Sequence, residues 1–70
     1  MDMRRIVGMN VRALRIAKGQ TQDDLAHRCG LSQQYLSALE RGKRNPTVIT
    51  LYEIAVGLEV AVHTLLLESD

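Results

Sequence analysis

Apolar residues recur along most of the chain at intervals of three and four, the spacing that places side chains on one face of an α-helix. Four stretches follow this pattern, and a fifth, near the C-terminal end, is apolar around much of its circumference. The predicted helices cover about residues 4–18, 21–29, 32–41, 46–58 and 61–67. The pattern therefore predicts an all-α fold of five helices, in a single domain of residues 1–70.

The second and third predicted helices have clear N-caps and a clear turn between them. Thr21 followed by Asp24 fits a capping box, in which each side chain bonds the backbone amide of the other residue. Gly30 can adopt the positive φ that stops a helix and turns the chain sharply. Ser32 then provides the next N-cap. These residues predict two short helices joined by a tight turn within about residues 21–42.

The third predicted helix presents one polar face that contains no acidic residue. This face carries amides, a hydroxyl, a methyl group and a guanidinium, from Gln33, Gln34, Ser37, Ala38 and Arg41. Glutamine can pair bidentately with the edge of adenine, serine can donate or accept, and a methyl can meet the thymine methyl. The alternative is an ordinary solvated face. The capped helix before it, the glycine turn and the missing acids favour a helix that enters the major groove of DNA.

This segment resembles the helix-turn-helix of the phage lambda repressor/Cro family, also called the XRE family. The matching pieces are TQDDLA and GLSQQYLSALERGKRNP, and the resemblance extends from about Ile6 to Leu66. The positions that carry it are Gln22, Ala26, Gly30, Ser32, Leu39, Glu40, Gly42 and Pro46. The resemblance implies a lambda-repressor-like, sequence-specific regulator of transcription, with Gln33, Gln34, Ser37 and Ala38 at the base edges.

The resemblance also implies roles for residues outside that face. Gln22 is expected to contact phosphate or to brace Gln33. Arg15, beside the apolar stripe of the first helix, is expected to pair with Glu40; two unrelated surface charges are the alternative. The residues expected at the DNA backbone are Arg12, Thr21, Gln22, Arg41, Lys43, Arg44 and Asn45.

The last two predicted helices depart from the family pattern. Asn45 with Pro46, or Thr47 one residue later, caps the fourth helix. A glycine usually ends that helix, but Glu59 stands there. Ala61 stands where a Ser or Asp usually caps the fifth helix, so the start of that helix is less clearly defined than its existence.

Composition limits the kinds of protein that the chain can be. Seventy residues without Phe or Trp must build a small core from aliphatic side chains. The single Cys allows no internal disulfide, which fits a reducing cytoplasm. No apolar run approaches the roughly 18 residues of a membrane span, and the N-terminus does not resemble a signal peptide. We therefore expect a cytoplasmic protein without membrane contact.

The distribution of charge separates two parts of the chain. Residues 1–45 contain all nine basic residues and four of the eight acidic ones, whereas residues 46–70 contain the other four acids and no Lys or Arg. This asymmetry indicates a polyanion on one side only. The second part also carries more apolar residues than a small core needs. We expect residues 48–67 to form a homodimer interface through Tyr52, Val56, Val62 and Leu66, so that the dimer binds palindromic half-sites of an operator.

Other kinds of function have little support. His27, Cys29 and His63 lack metal-ligand spacing, and no catalytic set or phosphate-binding loop can be assembled. We expect no enzyme activity, no cofactor and no small-molecule ligand. Within the family the chain resembles two kinds of stand-alone regulator, small phage repressors and restriction-modification controller proteins, and the controller type is favoured. The alternative is a protein-binding module, such as an antitoxin or adaptor with the same fold.

Overall fold

The computed structural model describes residues 2–68, and in that range the chain forms four α-helices, one 3-10 helix and no β-strand. The α-helices are α1 (Met3–Ala17), α2 (Gln22–Cys29), α3 (Gln33–Glu40) and α4 (Val48–Leu58). The prediction of an all-α fold is confirmed. The prediction of five α-helices is wrong, because the fifth element, Val62–Leu66, is a 3-10 helix.

A missing cap and contacts with α1 explain why the fifth element stays short. Ala61 precedes it without a side-chain oxygen to cap its first amides, and the Thr64 amide bonds to the Ala61 carbonyl three residues back. The side chain of Asn10 then donates to the carbonyls of Leu65 (2.8 Å) and Leu67 (2.7 Å). Asn10 thus satisfies carbonyls at the end of the element and fixes it against α1.

The starts of two other helices differ from the sequence-based prediction by one or two residues. α1 begins at Met3 because the Asp2 carboxylate accepts from the Arg4 amide as N-cap. Thr47 caps α4 by accepting from the Thr50 amide, so of the two predicted starts the one at Thr47 is correct and the one at Asn45 is wrong.

The core lies between all five elements and is aliphatic apart from Cys29. α1 packs against α3 and the 3-10 helix, and α2 packs against α3 and α4. The buried apolar residues are Val7, Val11, Leu25, Ala26, Cys29, Leu36, Leu39, Ile54, Ala55, Leu58 and Leu65. Each large aliphatic side chain buried in this way contributes about 1.5–3 kcal/mol of transfer free energy. This packing holds α3 with its opposite face in solvent.

Gly8 sets the distance between α1 and the end of α3. A Cβ built at Gly8 would collide with the carbonyl oxygen of Leu39 and lie 2.8 Å from that of Glu40. Only a hydrogen at this position lets the two helix backbones approach so closely. The crossing therefore brings the backbone of α1 into contact with the C-terminal end of α3.

Candidate nucleic-acid interface

The turn between α2 and α3 is fixed by side chains that are close in sequence. Thr21 Oγ1 accepts from the Asp24 amide and Asp24 Oδ2 accepts from the Thr21 amide, both at 3.0 Å. The bond from the Thr21 amide lowers the pKa of the Asp24 carboxyl. Gly30 has φ 69° and ends α2, and Ser32 Oγ accepts from the Tyr35 amide to start α3. The predicted helix-turn-helix geometry is therefore present.

α3 presents its polar face to solvent as a shallow concave surface. Gln33, Gln34, Ser37 and Arg41 line this surface, with Gln33, Gln34 and Arg41 exposed and Ser37 half-buried. Ala38 is half-buried beside them. The Arg41 Nε donates to the Ser37 carbonyl at 3.3 Å, which keeps the guanidinium along the helix end. Donors, acceptors and a positive charge thus point away from the core with no acid among them.

The loop after α3 brings exposed cations close to the end of that helix. Gly42 has φ 76°, and a Cβ built there would lie 3.1 Å from the Arg5 Cα at the start of α1. The Lys43 amide donates to the Ala38 carbonyl at 2.9 Å, and the Arg44 guanidinium lies 5.1 Å from the centre of the Tyr35 ring. We call residues 42–45 the basic loop; its Lys43, Arg44 and Asn45 are exposed.

Arg15 and Glu40 meet as a buried bidentate pair beneath this surface. Arg15 Nε donates to Glu40 Oε2 at 2.7 Å and Arg15 Nη2 donates to Glu40 Oε1 at 3.0 Å. The side chains are 11% and 1% exposed, and hydrogen bonding to Glu40 raises the pKa of the Arg15 guanidinium. Arg15 also donates to the Gln20 carbonyl at 2.8 Å. The pair therefore connects α1, the α1–α2 turn and the end of α3.

Gln22 belongs to the same buried network, which the sequence did not indicate. Its amide nitrogen donates to Glu40 Oε1 at 3.0 Å, so the structure places its contact at Glu40 and not at Gln33. A side-chain amide has two N–H donors, and one of them remains for a phosphate. The other residues predicted at the DNA backbone, Arg12 and Thr21, are exposed.

Exposed apolar side chains on α4 and the 3-10 helix lie outside this network. Tyr52 and Val56 are 59% and 57% exposed, and Leu66 is also exposed. Val62, the fourth residue predicted at a dimer interface, is half-buried and packs against the core. The prediction missed three more exposed apolar residues, Val48, Ile49 and Leu67. Val48, Tyr52 and Val56 recur every four residues and therefore lie along one side of α4.

The two histidines and the single cysteine lie outside the surfaces described above. His27 and His63 are exposed, and Cys29 is a buried free thiol whose pKa is raised by burial. Within residues 2–68 no three His, Cys, Asp or Glu side chains come together as metal ligands. Over the same range, no helix has the length and apolar character needed to cross a bilayer.

Comparison with known proteins identifies relatives of this chain. The chain is 57% identical over 70 residues to y4dJ of Sinorhizobium fredii, described as an uncharacterised HTH-type transcriptional regulator, and spans 91% of it. It is 36% identical over 62 residues to the HTH-type transcriptional regulator SinR of Bacillus subtilis, covering 87% of this chain and 56% of SinR.

Solved structures of similar proteins share the fold. The hypothetical transcription factor NHTF from Neisseria matches with a TM-score of 0.90 and 39% identity over 94% of this chain and 76% of its own. The restriction-modification controller protein C.AhdI from Aeromonas hydrophila matches with a TM-score of 0.86 and 34% identity, over 89% and 94% of the two chains. The family HTH_3, described as helix-turn-helix, matches residues 11–65. The chain belongs to this helix-turn-helix family of transcriptional regulators.

Proposed function

We propose that this protein binds a specific operator in double-stranded DNA as a homodimer and thereby regulates transcription. The observation that carries the proposal is the outer face of α3, where Gln33, Gln34, Ser37 and Arg41 form one exposed surface without an acid. An α-helix fits the major groove of B-DNA, and these side chains can bond base edges. In this proposal the protein acts in the cytoplasm, needs no cofactor or small-molecule ligand and catalyses no reaction.

Base reading is assigned to the residues nearest the start of α3 and to the short residues one turn later. Gln33 and Gln34 are exposed in the first turn, where their amides can pair with the N6 and N7 groups of adenine. Ser37 can donate or accept, and the methyl of Ala38 can pack against thymine. Each bidentate pair would discriminate against a wrong base by about 1–3 kcal/mol.

We assign contacts with the DNA backbone to residues that precede and follow α3 in the sequence. Thr21 and Gln22, at the start of α2, would place a hydroxyl and a side-chain amide at phosphates. Arg12 and the basic loop with Arg41 would add cations, and Gly42 would let the backbone approach. Such contacts fix the register of a protein on the duplex without reading its sequence.

Dimerisation is assigned to the exposed apolar surface of α4 and the 3-10 helix. Tyr52, Val56 and Leu66 are exposed, and Val62 is half-buried against the core. The residues after Asn45 contain no Lys or Arg, so this end of the domain would face away from DNA. A two-fold dimer places two recognition helices about 34 Å apart, which matches two half-sites one helical turn apart. C.AhdI, a controller protein with a similar fold, makes a controller-like role for this chain the favoured version of the proposal.

The test compares base-reading with phosphate-contacting variants on the same operator. Gln33→Ala and Gln34→Ala should each lose about 1–3 kcal/mol of binding free energy on the preferred site and should relax base preference. Lys43→Ala should weaken binding to all sequences alike and reduce the salt dependence of log K by about 1. Fluorescence anisotropy on the preferred operator and on random duplex measures both. Glutamine variants that bind the operator as tightly as wild type would rule out α3 as the recognition helix.

A further inference from the structure

Two arginines of α1 lie beside the point where α1 crosses α3. Gly8 faces the carbonyls of Leu39 and Glu40 at the end of α3. Arg5 precedes Gly8 by three residues and Arg12 follows it by four, so both share the side of α1 that flanks α3. Both side chains are exposed. We call Arg5 and Arg12 the basic flank of α1.

The basic flank is continuous with the basic loop. The backbone of Gly42 approaches the first turn of α1 so closely that an added Cβ would lie 3.1 Å from the Arg5 Cα and 3.4 Å from its amide nitrogen. Lys43 and Arg44 follow directly in the loop and are exposed. Arg5 therefore lies next to the basic loop, although Arg5 and Gly42 are 37 positions apart in the sequence.

Unlike Arg4 and Arg15, neither arginine of the basic flank pairs with a carboxylate among the described residues. Arg15 is neutralised by Glu40, and Arg4 lies 3.5 Å from the carboxylate of Asp2. Arg28 donates to the Gly57 carbonyl on the side of α2 that faces α4. α1 itself contains no Asp or Glu. Within residues 2–68, no carboxylate lies within ion-pair distance of the Arg5 or Arg12 side chains.

We infer that Arg5 binds the DNA phosphate backbone together with Arg12 and the basic loop, as a further positioning residue of the interface. The inference rests on the proposed DNA binding by α3. Seven residues of α-helix separate the two arginines by about 10 Å along the helix axis, so the two guanidinium groups would contact different phosphates. A guanidinium at a phosphate adds affinity and orientation but no base discrimination. In this proposal Arg5 strengthens binding to DNA and helps to fix the register of the protein on the duplex, without selecting a base sequence.

The experiment replaces one arginine on this flank and one elsewhere. Arg5→Gln removes the proposed contact, and Arg28→Gln removes the same charge from the side of α2 that faces α4. Dissociation constants are measured for wild type and both variants across a series of salt concentrations, on the selected operator and on random duplex. Circular dichroism verifies that both variants remain folded.

Arg5→Gln should reduce the slope of log K against log salt by about 0.9, which corresponds to about fivefold weaker binding at 0.15 M salt. The loss should be equal on operator and on random duplex, and Arg28→Gln should keep the wild-type slope. A wild-type slope for Arg5→Gln, or an equal change in Arg28→Gln, would overturn the inference. A wild type that does not prefer the operator over random duplex would instead count against the proposed function, while the salt slopes would still decide the role of Arg5.

Discussion

Removing one member of the buried Arg15–Glu40 pair is predicted to destabilise the domain severely. Glu40→Gln leaves the Arg15 guanidinium without a counter-charge in a site where its side chain is 11% exposed. Breaking a buried pair in this way costs about 3–5 kcal/mol. A chain of 70 residues has a total free energy of unfolding of roughly 3.5–10 kcal/mol. The single substitution should therefore remove a large share of the stability.

The double substitution should be much less harmful than the sum of the two single ones. With Arg15→Met beside Glu40→Gln, no unpaired charge stays buried, although the Gln20 carbonyl loses the donor that Arg15 provides. We expect a coupling energy of about 2–3 kcal/mol, within the range measured for directly contacting residues. Urea unfolding followed by circular dichroism gives the four free energies, with sulfate added if a single variant unfolds.

The wild type, the two single variants and the double variant form a double-mutant cycle, and an exposed ion pair of the same chain provides its control. Arg4 lies 3.5 Å from Asp2 with both side chains more than half exposed. Exposed pairs of this kind are screened by solvent, so the cycle of Arg4→Met with Asp2→Asn should give no measurable coupling. Asparagine keeps the N-cap in place. A coupling near zero for Arg15 and Glu40 as well would refute the reasoning that the buried pair stabilises the junction of α1 and α3.

Three further substitutions test other parts of the structure. Gly8→Ala should destabilise the domain by more than about 2 kcal/mol, because the added methyl collides with the backbone where α1 crosses α3. This loss outweighs the gain of about 1 kcal/mol in helix propensity. A thermal unfolding midpoint at or above that of the wild type would contradict this prediction. Glu59→Gly should stabilise it by about 1 kcal/mol, because Glu59 adopts φ 60° at the end of α4; urea unfolding measures the change, and equal or lower stability would count against it. Val56→Glu should give a folded monomer in sedimentation equilibrium, whereas Met9→Glu, at an equally exposed apolar site on α1, should remain dimeric; two monomers or two dimers would remove the proposed interface.

The sequence predicted best those features that depend on residues three or four positions apart. The Thr21–Asp24 capping box and the Ser32 cap need only local hydrogen bonds, and Gly30 supplies a positive φ by itself. The face of α3 could likewise be identified from helical spacing. Local rules were sufficient for these elements because short-range geometry determines them.

Features that depend on distant parts of the chain could not be predicted in the same way. The hydrogen bond from Gln22 to Glu40 forms only after α2 and α3 have packed. The hydrogen bond from Asn10 to the Leu65 carbonyl joins residues more than fifty positions apart. The short fifth element therefore depends on this distant contact as well as on the missing N-cap at Ala61. Whether Val48 or Val62 faces solvent also depends on packing, because both are apolar residues in apolar segments.

Selection of bound sites from random duplex DNA tests the central claim most directly. With wild-type protein we expect one enriched site made of two inverted half-sites whose centres are about 10 base pairs apart, and with Gln33→Ala we expect weaker base preference at the matching position of each half-site. A wild-type selection that enriches no sequence, or a Gln33→Ala, Gln34→Ala variant that enriches the wild-type site unchanged, would contradict the account of α3 as the helix that reads the operator.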